Sequence, residues 1–132
     1  MKYEYNDGGR SLYFRTIRKD YDVIRALSIV KDADYLETLR LCERITKSYL
    51  GDGILKRDLK KVMISFGGEW HPCMSAGTGC KVHLRKEELP NGKIICQLTK
   101  HYTAVIDGVI NDTFDPSRNG SRCVYGYWSF DY

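Results

Sequence analysis

The segment Lys100–Asp115, KHYTAVIDGVINDTFD, restricts the fold more than any other stretch of this chain. Asp107-Gly108 separates two runs of alternating apolar residues, the strongest short-range signal for a two-residue β-hairpin. The period of a strand puts His101, Thr103 and Val105 on one face and Tyr102, Ala104 and Ile106 on the other. If Ile106 pairs with Val109, then Val105 faces Ile110, Thr103 faces Asp112 and His101 faces Phe114. Asp112 then lies diagonally across from His101 on the same face, within side-chain reach, with Asn111 on the opposite face. A histidine oriented by a carboxylate is half of a nucleophilic hydrolase site. The other half is a nucleophile supplied from elsewhere in the chain.

Upstream, the pattern is helical. Val23–Val30 is apolar nearly all round, as in a helix buried on most sides. Asp22 precedes it and suits an N-cap, and the helix dipole favours an anion there. The same electrostatics make the start of a buried helix a good seat for a thiolate. Asp32 or Asp34 can cap a second helix running to about Tyr49, with Leu36, Leu39, Cys42, Ile45 and Tyr49 on one stripe. Cys42 reads as inert core. Gly51-Asp52-Gly53 is the expected stop. A third helix, about Leu55 to Phe66, has Leu55, Leu59, Val62, Met63 and Phe66 on one face and Lys56, Arg57, Lys60 and Lys61 on a solvated side. Gly67-Gly68 ends it.

From Trp70 the period changes to two. Ile94, Cys96 and Leu98 alternate with Ile95, Gln97 and Thr99, the hairpin follows, and Arg122–Trp128 supplies an aromatic-rich strand. Helices first and strands afterwards predict an α+β domain, with N-terminal helices packed on a C-terminal antiparallel sheet. Residues 1–12 contain the turn cluster Asn6-Asp7-Gly8-Gly9 and read as a surface loop, with Asn6 or Arg10 as side chains that such a loop could bring to a site.

With 132 residues, 42% of them hydrophobic, the chain suits one domain spanning 1–132 with a real core. No apolar run approaches membrane-spanning length, and MKYEYNDGGR lacks a signal peptide's apolar segment, so a cytoplasmic protein without membrane association is expected. An odd set of cysteines, Cys42, Cys73, Cys80, Cys96 and Cys123, then reads as free thiols. The net charge of +4 permits an acidic or nucleic-acid partner without demanding one. Arginines interleave with aromatics at Arg10, Tyr13, Arg15, Arg18 and Tyr21, and again at Arg118, Arg122, Tyr125, Tyr127 and Trp128. Nucleic-acid surfaces use this mixture, but alternate aromatics in the second group also suit a sheet core.

His71, Cys73, Cys80 and His83 form a soft-ligand set whose spacing departs from zinc sites, so free thiols and surface histidines are the expectation, with no metal and no cofactor. Gly77-Thr78-Gly79 ahead of Cys80 lacks the Gly-Lys-Ser/Thr of a phosphate loop and reads as a structural turn. Cys73 and Cys80 remain candidates for a displaced nucleophile.

The segments YNDGGR, VIRALSI, DYLETLR, GTGCKVHL, ELPNGKII, HYTAVIDGVINDTFDPSR and RCVYGYW cover most of the chain. In them it resembles a group of small phage-encoded proteins of papain-like cysteine-hydrolase fold, related in architecture to bacteriocin-processing peptidases. The resemblance implies a papain-like α+β domain in the host-cell cytoplasm, acting on a peptide or other amide. It implies a site made of the start of the first helix, His101 and Asp112. In that group the first helix opens with an Asp-Cys pair whose Cys is the nucleophile; here the pair is Tyr21-Asp22. A carboxylate attacking an amide forms an anhydride that reverts, and losing such a nucleophile costs on the order of a million-fold. The expectation is therefore a hydrolase-like protein inactive as written, whether a natural pseudoenzyme or an engineered variant. Asp22 acting as a base for water ranks below these. The alternative is a non-catalytic binding protein for a host protein or nucleic acid.

Overall fold

The structure, a computed structural model, describes residues 1–15, 22–48, 54–75 and 77–130. Asp107 and Gly108 both take left-handed backbone, with φ of 48° and 79°, as the expected two-residue turn requires. Asp107 is also tied to Gly92 through both its carboxylate and its N–H. The turn joins strands β4 (His101–Ile106) and β5 (Val109–Asp112), paired antiparallel with Ile106 opposite Val109, Val105 opposite Ile110 and Ala104 opposite Asn111. This is the register that the alternation predicts.

Strand β3 (Lys93–Leu98) pairs antiparallel with β4, its Leu98 opposite His101, across the turn Thr99-Lys100. On the far side of β3 lie β6 (Gly126–Phe130) and then β2 (Glu69–Pro72), both antiparallel to their neighbours. The other edge is β1 (Lys2–Tyr5), parallel to β5, which completes a six-stranded sheet in the order β1-β5-β4-β3-β6-β2.

The α+β class holds, but the sheet is mixed and not confined to the C-terminal half. Residues 2–5, expected as loop, are an edge strand. All four are exposed, so Lys-Tyr-Glu-Tyr lacks the apolar alternation by which a strand is recognised. The last strand begins at Gly126 instead of Arg122. The residues before it run beside residues 82–84, through hydrogen bonds of Val124 to Val82 and of Leu84 to Arg122.

Helix α1 (Asp22–Val30) is buried at every residue but Asp22 and lies on the sheet, chiefly over β4. Helix α2 (Tyr35–Thr46) packs on α1, and α3 (Lys56–Ser65) on α2. Asp34, not Asp32, caps α2 by accepting from the Glu37 N–H at 3.1 Å. The helix stops at Thr46 because Lys47 turns left-handed, with φ of 56°. The predicted stop at residues 51–53, and Tyr49, lie outside the described residues.

Ile24, Leu27, Val30, Tyr35, Val62 and Met63 from the helices meet Ile95, Ala104, Trp128 and Phe130 from the sheet. Each large side chain so buried contributes about 1.5–3 kcal/mol. The opposite face carries a second core of Ile94, Cys96, Leu98, Val105, Ile110 and Val124, covered by Leu84 and Leu89. Among the described residues no helix is long and apolar enough to cross a membrane.

Two cysteines depart from the expectation of free thiols. Cys80 and Cys123 are disulfide-bonded, with Cα atoms 5.8 Å apart. The pairing of His83 with Cys123 brings the two segments together, a contact between residues far apart in the chain. Cys42, Cys73 and Cys96 are free, and burial pushes the Cys42 thiol up to about 12, consistent with inert core.

Candidate active site

His101 opens β4 and Asp112 closes β5, so the hairpin register carries both side chains to one end of the sheet. His101 Nε2 lies 2.7 Å from Asp112 Oδ2, which also accepts from the Thr103 hydroxyl at 2.6 Å. The Thr113 N–H donates to Asp112 Oδ1 at 2.7 Å, so both carboxylate oxygens are held. Phe114 packs at a tilt beside the imidazole, with ring centroids 5.0 Å apart. The positions assigned to Thr103, Asp112 and Phe114 relative to His101 are those the alternation predicts.

Helix α1 delivers the third group. Asp22 Oδ2 stands 3.3 Å from His101 Nδ1 and accepts the Tyr102 N–H at 2.9 Å. Its Oδ1 accepts the Val23 N–H at 2.9 Å. Asp22 thus fixes the start of α1 to the start of β4 and faces the ring nitrogen that Asp112 leaves open.

A neutral imidazole has one N–H, yet both ring nitrogens here face carboxylates. Burial alone pulls the His101 pKa down. The hydrogen bonds to Asp112 and Asp22, together with their negative charges, outweigh it and hold the pKa above its ordinary value. The ring is therefore favoured as an imidazolium between two anions, buried to 7% exposure.

The N-terminal strand supports this arrangement without touching the imidazole. Asn6 N–H and the Tyr3 hydroxyl both donate to the Asp112 backbone carbonyl, at 2.9 and 3.2 Å. The Asn6 side chain bridges Asn111 and Gly8. Arg10 turns inward, donating to the Tyr35 hydroxyl at 2.8 Å and lying over Phe14, so it is a core group and not a site residue.

The displaced-nucleophile candidates are elsewhere. Cys80 is bonded to Cys123, and Cys73 packs on the far core with its thiol pKa raised by burial. His71 stacks on Tyr127 and bonds Ser129, while His83 meets Glu88 at 3.2 Å. Among the described residues no three His, Cys, Asp or Glu side chains converge as a metal set.

Two clefts flank the Asp22–His101 contact. One, of about 780 Å³, opens between His101, Phe114, Arg118 and Arg122. The other, about 390 Å³, is walled by Asp22, Val23, Ile54, Leu59 and Tyr102. Beyond it Trp70 and Trp128 line a further hollow that shares Leu59 and Tyr102. Sequence reasoning placed Lys56 and Lys60 on a solvated face; they edge these hollows. Arg18 and Tyr21 lie outside the described residues. Comparison of the chain with protein-family models, curated proteins and solved structures finds no match.

Proposed function

We propose that this chain is a papain-like, cysteine-hydrolase-type protein of the phage-encoded group it resembles, with Asp22 in the nucleophile's seat. On this reading it holds a peptide or protein segment across its cleft without cleaving it. The observation that carries the reading is the bracketing of one buried imidazole by Asp22 at the start of α1 and Asp112 on β5. An activated cysteine site needs a thiolate beside an imidazolium that a further group orients. Here the carboxylate of Asp22 takes the thiolate's place beside the imidazole, so the contact survives while the sulfur chemistry does not.

Binding without turnover is favoured over water activation by Asp22. Both of its oxygens already accept backbone N–H groups, from Val23 and Tyr102, so the carboxylate is engaged in joining α1 to β4. On the resemblance the protein would work in the host-cell cytoplasm, a setting in which a disulfide such as Cys80–Cys123 is uncommon.

The test is Asp22→Cys. A thiol at this seat, paired with His101, stays partly thiolate at about pH 6, where an ordinary thiol with pKa about 8.5 is protonated. Iodoacetamide labelling with peptide mapping is expected to find the new cysteine reacting much faster than Cys73, with the advantage lost in Asp22→Cys/His101→Ala. A labelling rate no faster than that of Cys73, or one indifferent to His101, would overturn the reading.

A further inference from the structure

The cleft on the β5 side of His101 is lined by four cations, Arg25, Lys100, Arg118 and Arg122, and among the described residues by no carboxylate. They come from three separate parts of the chain. Arg25 lies one helical turn beyond Asp22 and is 3% exposed, so it lines the cleft from inside the fold, and Lys100, Arg118 and Arg122 supply the accessible charge. Lys100 sits in the β3–β4 turn, and Arg118 and Arg122 in the loop before β6.

This loop is tied down. Ser117 N–H donates to Asp115, Gly120 N–H to Ser117, and Ser121 N–H to Arg118. Arg122 is anchored across the cleft through a 2.7 Å bond from Nη2 to the Thr99 carbonyl. Among the described residues Lys100, Arg118 and Arg122 have no carboxylate within salt-bridge distance. Gathering like charges in a partly enclosed space is unfavourable until an anion enters. Burial, and next the neighbouring Arg118, lower the pKa of Arg122, as such crowding requires.

We propose that this cleft receives a carboxylate side chain of the peptide that lies across Asp22 and His101, making the ligand an acidic peptide. The inference rests on the peptide-cleft reading above. A nucleic acid fits less well. Between the two clefts His101 is bracketed by two carboxylates, Asp22 at the wall of one cleft and the buried Asp112 behind, which together make this point net negative. A phosphodiester backbone carries a charge at every link and would set one there. A peptide lays a neutral amide over this point and places its carboxylate to one side, over the arginines. On the other side Val23, Ile54 and Leu59 suit an uncharged side chain.

The experiment measures binding to the full chain by fluorescence anisotropy. The probes are fluorescein-labelled Gly-Ala-Glu-Ala-Gly-amide, the same peptide with Gln for Glu, and a labelled short oligothymidylate. The Glu peptide is expected to bind at least about tenfold more tightly than the Gln peptide, the scale of a charge-assisted hydrogen bond. Arg118→Gln/Arg122→Gln should remove the preference, and Arg118→Lys/Arg122→Lys should retain part of it. Lys100→Gln, in an exposed turn, weakens the preference in its own right and covers the case of a misfolded double variant, which circular dichroism would reveal.

Equal binding of the two peptides, no binding of either, tighter binding of the oligothymidylate, or a preference indifferent to these substitutions would overturn the proposal. The labelling test at Asp22→Cys is independent of this one. A reactive, His101-dependent thiol without Glu preference removes only the acidic subsite. Glu preference without such a thiol keeps the subsite and removes the hydrolase ancestry.

Discussion

Two carboxylates, from Asp22 and Asp112, hold one histidine, and the protonation of that ring is the most direct measure of the site. Since the interactions with Asp112 and Asp22 raise the His101 pKa against the opposing effect of burial, removing either anion lets burial gain ground. NMR titration of His101 should therefore find its pKa above the ordinary value of about 6.5 in the parent. It should fall in Asp22→Asn, and an unchanged value would take Asp22 out of the site. The sign for stability follows from linkage. With the folded pKa above the unfolded one, the contribution of His101 is fully present below about pH 6.5 and is lost as pH rises through the folded pKa. Asp22→Asn should accordingly lose more stability on the acidic side of that window than on the alkaline side. Thr103→Val is a milder probe. It deletes the 2.6 Å bond to Asp112 Oδ2 and leaves His101 as that oxygen's remaining partner, at an expected cost of about 1 kcal/mol in denaturant unfolding. No loss would mean that the hydroxyl does not hold the carboxylate.

Between elements, the N-terminal turn lies close against α1. Gly8 has φ of +70°, and a Cβ there would meet the Arg25 carbonyl at 2.8 Å and Ser28 Cβ at 3.3 Å. Neither backbone nor a buried helix face can yield easily, so Gly8→Ala should cost roughly 1–3 kcal/mol. Gly9 also has positive φ, but its nearest neighbour would be Tyr35 Cβ at 3.8 Å. Gly9→Ala should therefore lower the urea midpoint less than Gly8→Ala does. Equal losses would mean that conformation alone, and not the contact with α1, makes Gly8 necessary. The turn itself is legible in Asn6-Asp7-Gly8-Gly9, whereas its partner is not, because nothing local to these residues points to Arg25. The same distinction runs through the molecule. Asp107-Gly108 with alternating neighbours determines a register by local chemistry, and Asp112 beside His101 follows from it. Strand β1 left no such trace, since Lys2–Tyr5 is exposed throughout and pairs with a strand about a hundred residues away. The arrival of Asp22 at His101 depends on how α1 lies on the sheet, which no pattern within α1 specifies. Arg118 and Arg122 stand out in the sequence, but their convergence with Arg25 and Lys100 is made by loops.

Taken whole, the chain has a core on each face of one sheet, and its cooperativity turns on whether these melt together. The helix-side core needs both halves of the sequence, because α1 is covered by α2 on one side and by β3 and β4 on the other. Trp128 and Phe130, from the last strand, lie in that same core. Far-UV circular dichroism follows the helices, while fluorescence follows Trp70 and Trp128, whose rings lie 5.2 Å apart on β2 and β6. If the halves depend on one another as this packing requires, both signals should give a single urea midpoint. The opposite core is clamped differently, by the bond between Cys80 and Cys123 across 43 residues. Closing a loop of that length is worth up to about 4 kcal/mol through the entropy of the unfolded chain. Full reduction should therefore lower stability by about 2–4 kcal/mol. Because the cross-link acts on the unfolded chain as a whole, dichroism and fluorescence should shift together. If either signal moves without the other, the helices and the sheet unfold separately and the chain is not one cooperative unit. If neither moves after thiol titration shows all five cysteines reduced, the bond does not stabilise the fold.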